Sequence, residues 1–193
     1  MRSALAAAGP ARRSPFESQM GRASAVLAVL YDAGEEAHVV LTRRAWHLRA
    51  HRGEVSFPGG GRDPGEELRD TARREAWEEV RLDPATVEVI GELDHLSTFT
   101  SGSWIVPFVA SLPSRPELEP APAEVEAVLH VPLSELLGDG VFHEERWDVL
   151  GLWRTICFFD IIGDTIWGAT AAMLRQLLGF ATGTVGRGQL GHR

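Results

Sequence analysis

Between Gly60 and Leu82 the chain reads GGRDPGEELRDTARREAWEEVRL. Arg74 is followed at once by Glu75, then by Glu78 and Glu79; Glu66 lies eight residues before Arg74, and Gly60 six before Glu66. Magnesium is commonly held by one or two protein carboxylates together with substrate phosphate oxygens. A helix with acids at i, i+3 and i+4 projects all three from one side. The segment has the makings of a tool for cutting phosphate anhydrides. A mixed-charge helix is more often a solvated face laced with i,i+4 ion pairs, and the helical wheel separates the two cases. With Glu75 at zero and about 100° per residue, Glu79 falls near 40° and Glu78 near 300°. On the same count Leu68, Ala72, Ala76 and Val80 fall at about 20°, 60°, 100° and 140°. Glu75 and Glu79 thus share the helix's only apolar sector. Carboxylates at the edge of a core need a partner, and a metal ion is the natural one.

The elements that must position these acids are legible on either side. Ala23 to Tyr31 is an aliphatic, β-branched run suited to a buried strand; Asp32-Ala33-Gly34 offers a turn, and His38 to Thr42 returns as a hairpin partner. Residues 54–57 form a short strand that stops at Pro58-Gly59-Gly60-Gly61, where glycines permit close backbone approach. Asp63, Pro64 and Glu66 read as cap, first-turn proline and return acid of a helix running to about Val80, which Asp83-Pro84 stops. Further strands are expected over 87–93, 104–111, 124–131 and 155–161. Residues 112–123, with four prolines, form an irregular loop. A short helix over 132–137 and a helix over 168–178 capped by Gly179 complete the set. Residues 1–22 read as a flexible N-terminal arm, 23–179 as one domain, and 180–193 as a flexible glycine-rich tail. A mixed sheet flanked by helices follows, an α+β fold.

The acidic segment resembles the Nudix box, G-x5-E-x7-R-E-U-x-E-E-x-G-U with U a bulky apolar residue. Gly60, Glu66, Arg74, Glu75, Glu78 and Glu79 fall at the required offsets, with Leu82 at the last apolar place. Six fixed matches arise by chance roughly once in 10⁷ starts at ordinary residue frequencies, which makes coincidence a poor account. Ala76 is small for the first U position, and Arg81 replaces the box glycine. A helix often ends on a left-handed residue that glycine tolerates best, so Arg81 there costs about 1 kcal/mol. The resemblance implies an α/β/α sandwich with the box as loop–helix–loop beside a mixed sheet. It also implies metal-assisted hydrolysis of a diphosphate with Mg²⁺ or Mn²⁺. In that scheme Glu75 and Glu79 are the leading metal ligands, Glu78 a third ligand or the residue orienting the water, and Arg74 an orienter of the acids. Glu66 ligates through water, and Glu124 is the candidate acid from outside the box.

A second resemblance lies upstream. Leu41 to Gly60, LTRRAWHLRAHRGEVSFPGG, is similar to the extra motif of the coenzyme A branch of Nudix hydrolases, L-T-x-R-[SA]-x-x-L-R-x-H-x-G-x-x-x-F-P-G-G. Trp167, Gly168 and Thr170 fill that branch's W-G-x-T motif. The implied substrate is a coenzyme A-like diphosphate and the implied products are 3′,5′-ADP and 4′-phosphopantetheine. Arg44, Arg49, His51, Gly59 and Gly60 are then the substrate-binding residues. Physical chemistry agrees: residues 43–52 hold four arginines and two histidines without an acid, a basic island suited to a polyanion. Rival readings are another Nudix specificity, such as ADP-ribose, NADH or dinucleoside polyphosphates, or a non-catalytic nucleotide-sensing domain.

Composition bounds the rest. With 193 residues, 44% of them hydrophobic and 24% charged, the chain has the profile of one soluble domain. The net charge of −8 argues against nucleic-acid binding. No apolar run is long enough for a membrane span, and the start lacks the apolar core of a secretory signal. The lone Cys157, beside Ile156, Phe158 and Phe159, excludes an internal disulfide and reads as a buried small hydrophobe in a reducing cytoplasm. Exposed strand edges and six tryptophans allow a homodimer without requiring one.

Overall fold

The apolar run from Ala23 becomes the spine of the molecule. It alternates strictly: Ala25, Leu27, Val29 and Tyr31 face one helix layer, whereas Ala28 and Leu30 face the other. Period-two alternation of this kind, apolar on both faces, suits a strand sandwiched between two layers. The computed structural model describes residues 1–98, 102–149 and 151–188. Its elements are α1 (Arg2–Ala7), β1 (Arg22–Ala33), β2 (Glu36–Arg44), β3 (Val55–Ser56), β4 (Gly59–Gly61) and α2 (Leu68–Val80), followed by β5 (Glu88–Glu92), β6 (Leu96–Thr98), β7 (Ser103–Leu112), β8 (Val125–Pro132) and α3 (Leu133–Leu136). A three-stranded sheet, β9 (Phe142–Val149), β10 (Leu152–Ile161) and β11 (Asp164–Trp167), leads into α4 (Gly168–Thr182).

The large sheet is mixed. β1 runs parallel to β7 and antiparallel to β2 and β4; β8 pairs with β2, and β5 and β6 pair with β7. α2 covers one face through Ala72, Ala76 and Val80. α4 covers the other through Leu174, Leu177 and Leu178, and the small sheet adds Cys157, Phe159 and Ile166 to the same core. The α/β/α sandwich expected from the sequence is present, with the acidic helix on one face of the sheet. Cys157 is buried, as expected.

Several boundaries moved, each for a local reason. The acidic helix begins at Leu68, not at Pro64, because Asp63 to Glu66 close a turn of their own: Glu66 N–H donates to Asp63 O, and Asp63 N–H to Glu66 Oε2. Gly59 to Gly61 do not merely end a strand; they pair with Ser24 to Val26 of β1. Gly179 lies inside α4, and Gly183, at φ 72°, is the cap. A Cβ at Gly179 would stand 2.2 Å from Cβ of Val185, so this glycine makes room for the returning tail. β6, β9 and β11 were not foreseen.

The described parts of the two expected flexible ends are fastened to the domain, and residues 189–193 of the expected tail lie outside the described residues. Leu5 is buried in the core; Arg12 N–H donates to Asp94 Oδ1 at 3.0 Å, and Ser14 meets Ser97 at 2.7 Å. At the other end Arg187 pairs with the same Asp94 at 3.2 Å, and Gly188 N–H donates to its Oδ2 at 2.5 Å. Gln176 of α4 supplies another donor at 2.8 Å. Asp94 is thus a buried carboxylate that fastens the arm and the beginning of the tail to one point. Burial alone would raise its pKa, but the donors outweigh burial and lower it, so its contribution to stability is present above the ordinary carboxylate range and fades on acidification.

Two outcomes follow for stability. Asp94→Ala leaves several buried donors unmet and is expected to cost about 3 kcal/mol, with residues 1–15 becoming cleavable in limited proteolysis; a melting curve and cleavage pattern like the parent's would remove Asp94 from this role. Arg81 sits in the left-handed region at φ 59° and ends α2 there. Arg81→Gly should therefore raise stability by about 0.5–1 kcal/mol and Tm by about 2–3 °C. A lower Tm by calorimetry would show that the stack of Arg81 on Trp77, at 5.6 Å, outweighs the backbone strain.

Candidate active site

Arg74 organises the box from the middle of α2. A guanidinium has five N–H donors in a rigid plane, and here all five are committed. Nε donates to Glu66 Oε1 at 2.9 Å; Nη1 donates to Glu75 Oε1 at 2.9 Å and to Glu78 Oε2 at 3.0 Å. Nη2 donates to Gly61 O at 3.0 Å and to Glu66 Oε2 at 3.1 Å. Glu66 also accepts from Thr71 Oγ1 at 2.7 Å. Hydrogen bonds from Arg74, helped by those from Thr71 and the Asp63 amide, hold Glu66 down at about 2.

Glu79 has no such cation. It is 5% exposed, its Oε2 accepts the Gly59 N–H at 3.2 Å, and its neighbours in charge are Glu75, Glu124 and Arg44. Burial, reinforced by the charges of Glu75 and Glu124, pushes Glu79 up to about 8 against the opposing pull of Gly59 and Arg44. Burial also raises Glu75, with Glu78 and Glu124 contributing and Arg74 opposing. Among the described residues no three His, Cys, Asp or Glu side chains form a ready-made metal cage. Mg²⁺ does not need one, since one or two carboxylates, water and substrate phosphates complete its shell. The buried Glu79 and the half-buried Glu75, one helical turn apart, fit that requirement and are the groups that would hold an ion.

The glycines set how closely the strand approaches these acids. A Cβ at Gly60 would lie 2.5 Å from the Glu75 carboxyl group, and one at Gly59 would lie 2.4 Å from the Ala25 carbonyl oxygen. Gly59 and Gly60 therefore line the acids directly. Arg44, at the end of β2, is close enough to act on Glu79, and the Ala45 N–H donates to Glu124 O at 2.9 Å, which carries Glu124 to the same place. Arg49 is solvent-exposed on the loop between β2 and β3. His51 is not drawn to the acids: its Nδ1 lies 2.8 Å from Glu54 Oε2 and its backbone is left-handed at φ 55°. Arg43 is likewise removed from the basic island by a two-pronged pair with Asp164, Nε to Oδ1 at 2.8 Å and Nη2 to Oδ2 at 2.5 Å. No local signal in the sequence announces this partner, 121 residues away. Its effect is to tie the start of β11, and so Trp167 and Gly168, to the base of the basic loop. Gly168 is left-handed at φ 64°, and Trp167 packs in an aromatic row with Trp147 at 5.7 Å.

The NUDIX domain family model matches residues 21–150. The chain belongs to the Nudix family. A protein of Photorhabdus laumondii described as the uncharacterized Nudix hydrolase NudL is 39% identical over 140 residues, covering 72% of this chain and 74% of its own. Its counterpart of the same description in Yersinia pestis is 35% identical over 165 residues, covering 85% and 82%. Among solved structures, a Caenorhabditis elegans Ap4A hydrolase aligns with TM-score 0.57 at 16% identity over 84% of this chain and 98% of that one. A MutT/nudix family protein of Enterococcus faecalis aligns with TM-score 0.58 at 18% identity, over 83% and 62%. At those identities the two structures establish the shared fold. The Nudix chain is a hydrolase of pyrophosphate bonds, of a family that works with divalent metal ions.

The charge state of Glu79 gives a test that does not depend on turnover. In metal-free protein the folded state keeps a proton that the unfolded chain releases, so stability falls as pH rises from about 4.5 to about 8 and then levels off. Glu79→Gln removes that group. The variant should melt above the parent in EDTA at pH 8 and alongside it at pH 4.5, and added Mg²⁺ should raise the parent's Tm at pH 8 far more than the variant's. Identical pH dependence of melting in the two proteins would count against a buried, metal-ready Glu79.

Proposed function

We propose that this Nudix hydrolase cuts the diphosphate of coenzyme A or its derivatives, adding water across the P–O–P bridge to give 3′,5′-ADP and 4′-phosphopantetheine. The observation that carries the reading is that Leu41 to Gly60, the stretch similar to the coenzyme A motif, wraps the box acids. Its glycines stand against Glu75 and Glu79, and its Arg44 is near enough to act on Glu79. When bound, Mg²⁺ or Mn²⁺ neutralises phosphoryl charge and makes water a better nucleophile. The chain's own residues do the rest. Glu79 and Glu75 hold the ion, with Glu78, exposed beside them, as a further ligand or the group that orients the attacking water. Arg74, with every donor committed, positions Glu66, Glu75 and Glu78 and touches no substrate. Arg44 and Arg49 bind phosphate oxygens, an interaction present in ground and transition states alike and therefore felt mainly in KM.

Cys157, buried and with its thiol pushed up by burial, fits a reducing cytoplasm, where we place the protein. Trp147 and Trp153, exposed on β9 and β10, are compatible with a homodimer. Among the described residues no helix is long and apolar enough to cross a membrane.

The deciding assay offers purified protein with Mg²⁺ or Mn²⁺ four substrates: coenzyme A, dephospho-coenzyme A, ADP-ribose and NADH. Release of 3′,5′-ADP and 4′-phosphopantetheine from coenzyme A, with little cleavage of ADP-ribose or NADH, is expected. Preferential cleavage of ADP-ribose or NADH would keep the mechanism and replace the substrate, whereas binding without cleavage would favour a nucleotide-sensing role. Within that assay Glu79→Gln should lower kcat by several orders of magnitude. Arg49→Ala should raise KM for coenzyme A more than for dephospho-coenzyme A; an equal rise would move Arg49 from the 3′-phosphate to the diphosphate.

A further inference from the structure

The loop that follows β2 carries a tryptophan whose place packing does not explain. Trp46, two residues beyond Arg44, is 60% exposed. Indole side chains repay their size by burial or by ring contacts, and five of the six tryptophans in the chain have such contacts. Arg81 lies over Trp77 and Arg146 over Trp153; Trp104 stacks with His95, and Trp147 packs on Trp167. Trp46 has neither an aromatic nor a cationic partner among the described residues.

The loop nevertheless holds this ring in place. Three adjacent carbons of its six-membered ring would stand 2.4, 2.5 and 2.8 Å from a Cβ on Gly53. The ring therefore lies flat on that glycine, which is left-handed at φ 71°. Arg44 N–H donates to Glu54 O at 3.0 Å, and Gly53 N–H to Arg44 O at 3.1 Å, which closes the loop. Next to the indole, His47 Nε2 lies 3.2 Å from Ala123 O, and Ala45 N–H donates to Glu124 O. That same segment meets the catalytic helix, where Ala121 N–H donates to Glu79 O at 2.8 Å. Trp46 is thus presented on a fixed base beside the cleft. On the same loop Arg44, Arg49 and Arg52 have no carboxylate at ion-pair distance among the described residues, and Glu54 is taken by His51. Arg44 Nε is buried without a hydrogen-bond partner, a rare state that calls for a ligand or another explanation.

A held indole beside unpaired guanidiniums suits a ligand that is flat at one end and anionic at the other. We infer that Trp46 stacks on the nucleobase of the diphosphate substrate while the arginines of its loop take the phosphates. The upstream motif leaves the position of Trp46 open, so this contact is the chain's own addition to it. Single-stranded nucleic acid offers the same chemistry, but a net charge of −8 opposes a long polyanion, and the loop is anchored at the box acids. Stacking holds the base in ground and transition states alike, so it acts on KM. The inference rests on the proposed reading only in that the substrate carries a base, which coenzyme A, ADP-ribose and NADH share.

The test measures binding of AMP and of ribose 5-phosphate to the full chain with Mg²⁺ by isothermal titration calorimetry, with melting curves to confirm that each variant is folded. The probes differ by the base alone, and neither has a diphosphate bridge to be cleaved. The parent should bind AMP about tenfold or more tighter than ribose 5-phosphate, as base–aromatic stacking supplies. Trp46→Ala should bring AMP down to the level of ribose 5-phosphate and leave the latter unchanged, whereas Trp46→Phe should keep most of the preference. Trp153→Ala, equally exposed at 61% but on β10, should change neither. With whichever substrate the protein cleaves, Trp46→Ala should raise KM about tenfold with kcat nearly unchanged. Equal affinity of the parent for the two probes would overturn the assignment, as would an AMP preference that survives in Trp46→Ala. So would a loss confined to 4′-phosphopantetheine, which would put the pantetheine arm on the indole. The two probes require no turnover, so a coenzyme A assay that fails while the AMP preference depends on Trp46 removes the substrate and keeps the stack.

Discussion

The geometry of the catalytic region depends on one guanidinium. Arg74 joins the turn before α2 through Glu66, the strand β4 through the Gly61 carbonyl, and its own helix through Glu75 and Glu78. A planar fork with five fixed donor directions can satisfy that set simultaneously; a lysine ammonium, with three donors on a flexible stem, cannot. The saturation of Arg74 also divides the acids. Glu66, Glu75 and Glu78 share its charge, whereas Glu79, one turn further on and more deeply buried, is left with a single backbone N–H and the more distant Arg44. The one carboxylate left without a cation therefore holds a proton in the metal-free protein, and a divalent ion binds there by taking the proton's place.

Burying a carboxylate in this way requires close approach of strand and helix. α2 docks on the sheet through alanines at 72 and 76, and β4 meets it through Gly59 and Gly60. The glycines serve proximity more than flexibility. At Gly59 an added Cβ would strike the Ala25 carbonyl, which belongs to the central strand and cannot yield; at Gly60 it would strike the Glu75 carboxyl, which Arg74 holds in place. The same closeness that shapes the site also excludes water from Glu79, so metal affinity and carboxylate desolvation have a common structural origin.

These relations differ in how far the sequence betrays them. The box was legible because its chemistry is local: an i, i+3, i+4 pattern on one helix and two spacings within a stretch of 23 residues place the acids together whatever the remaining fold does. β1 and its hairpin with β2 were legible for the same reason, since alternation and a turn are neighbouring signals. Arg81 at the end of α2 is left-handed, as the box position requires even of a non-glycine. The start of α2 was misplaced because Asp63, Pro64 and Glu66 carry a capping signature, yet Glu66 has a stronger partner in Arg74 than in a helix terminus. The N-terminal segment and residues 180–188 have the composition of a solvated segment, and what fastens them is Asp94, more than eighty residues from Arg12 and from Arg187. His51 is a different case. Its place in the upstream motif was clear, but Glu54, three residues on, claims its ring.

The fastening at Asp94 has a consequence on the other side of α2. By holding the N-terminal segment against residues 94–97, it brings Glu17 over the β7 face and turns an open sheet surface into a walled groove. α2 then has charged residues at work on both flanks, with Ala72, Ala76 and Val80 between them packed on the sheet. That strip contributes modest burial, since two of its three side chains are alanines with little apolar area. The helix must therefore be held largely by what happens at its edges: the Arg74 network on one side, and on the other Arg69 over Phe108 with Arg73 reaching the Val87 carbonyl. A helix secured by polar contacts at its margins can carry buried glutamates, because those contacts fix its position without surrounding the acids in hydrocarbon. The low apolar content of α2 is in this sense a condition of its chemistry.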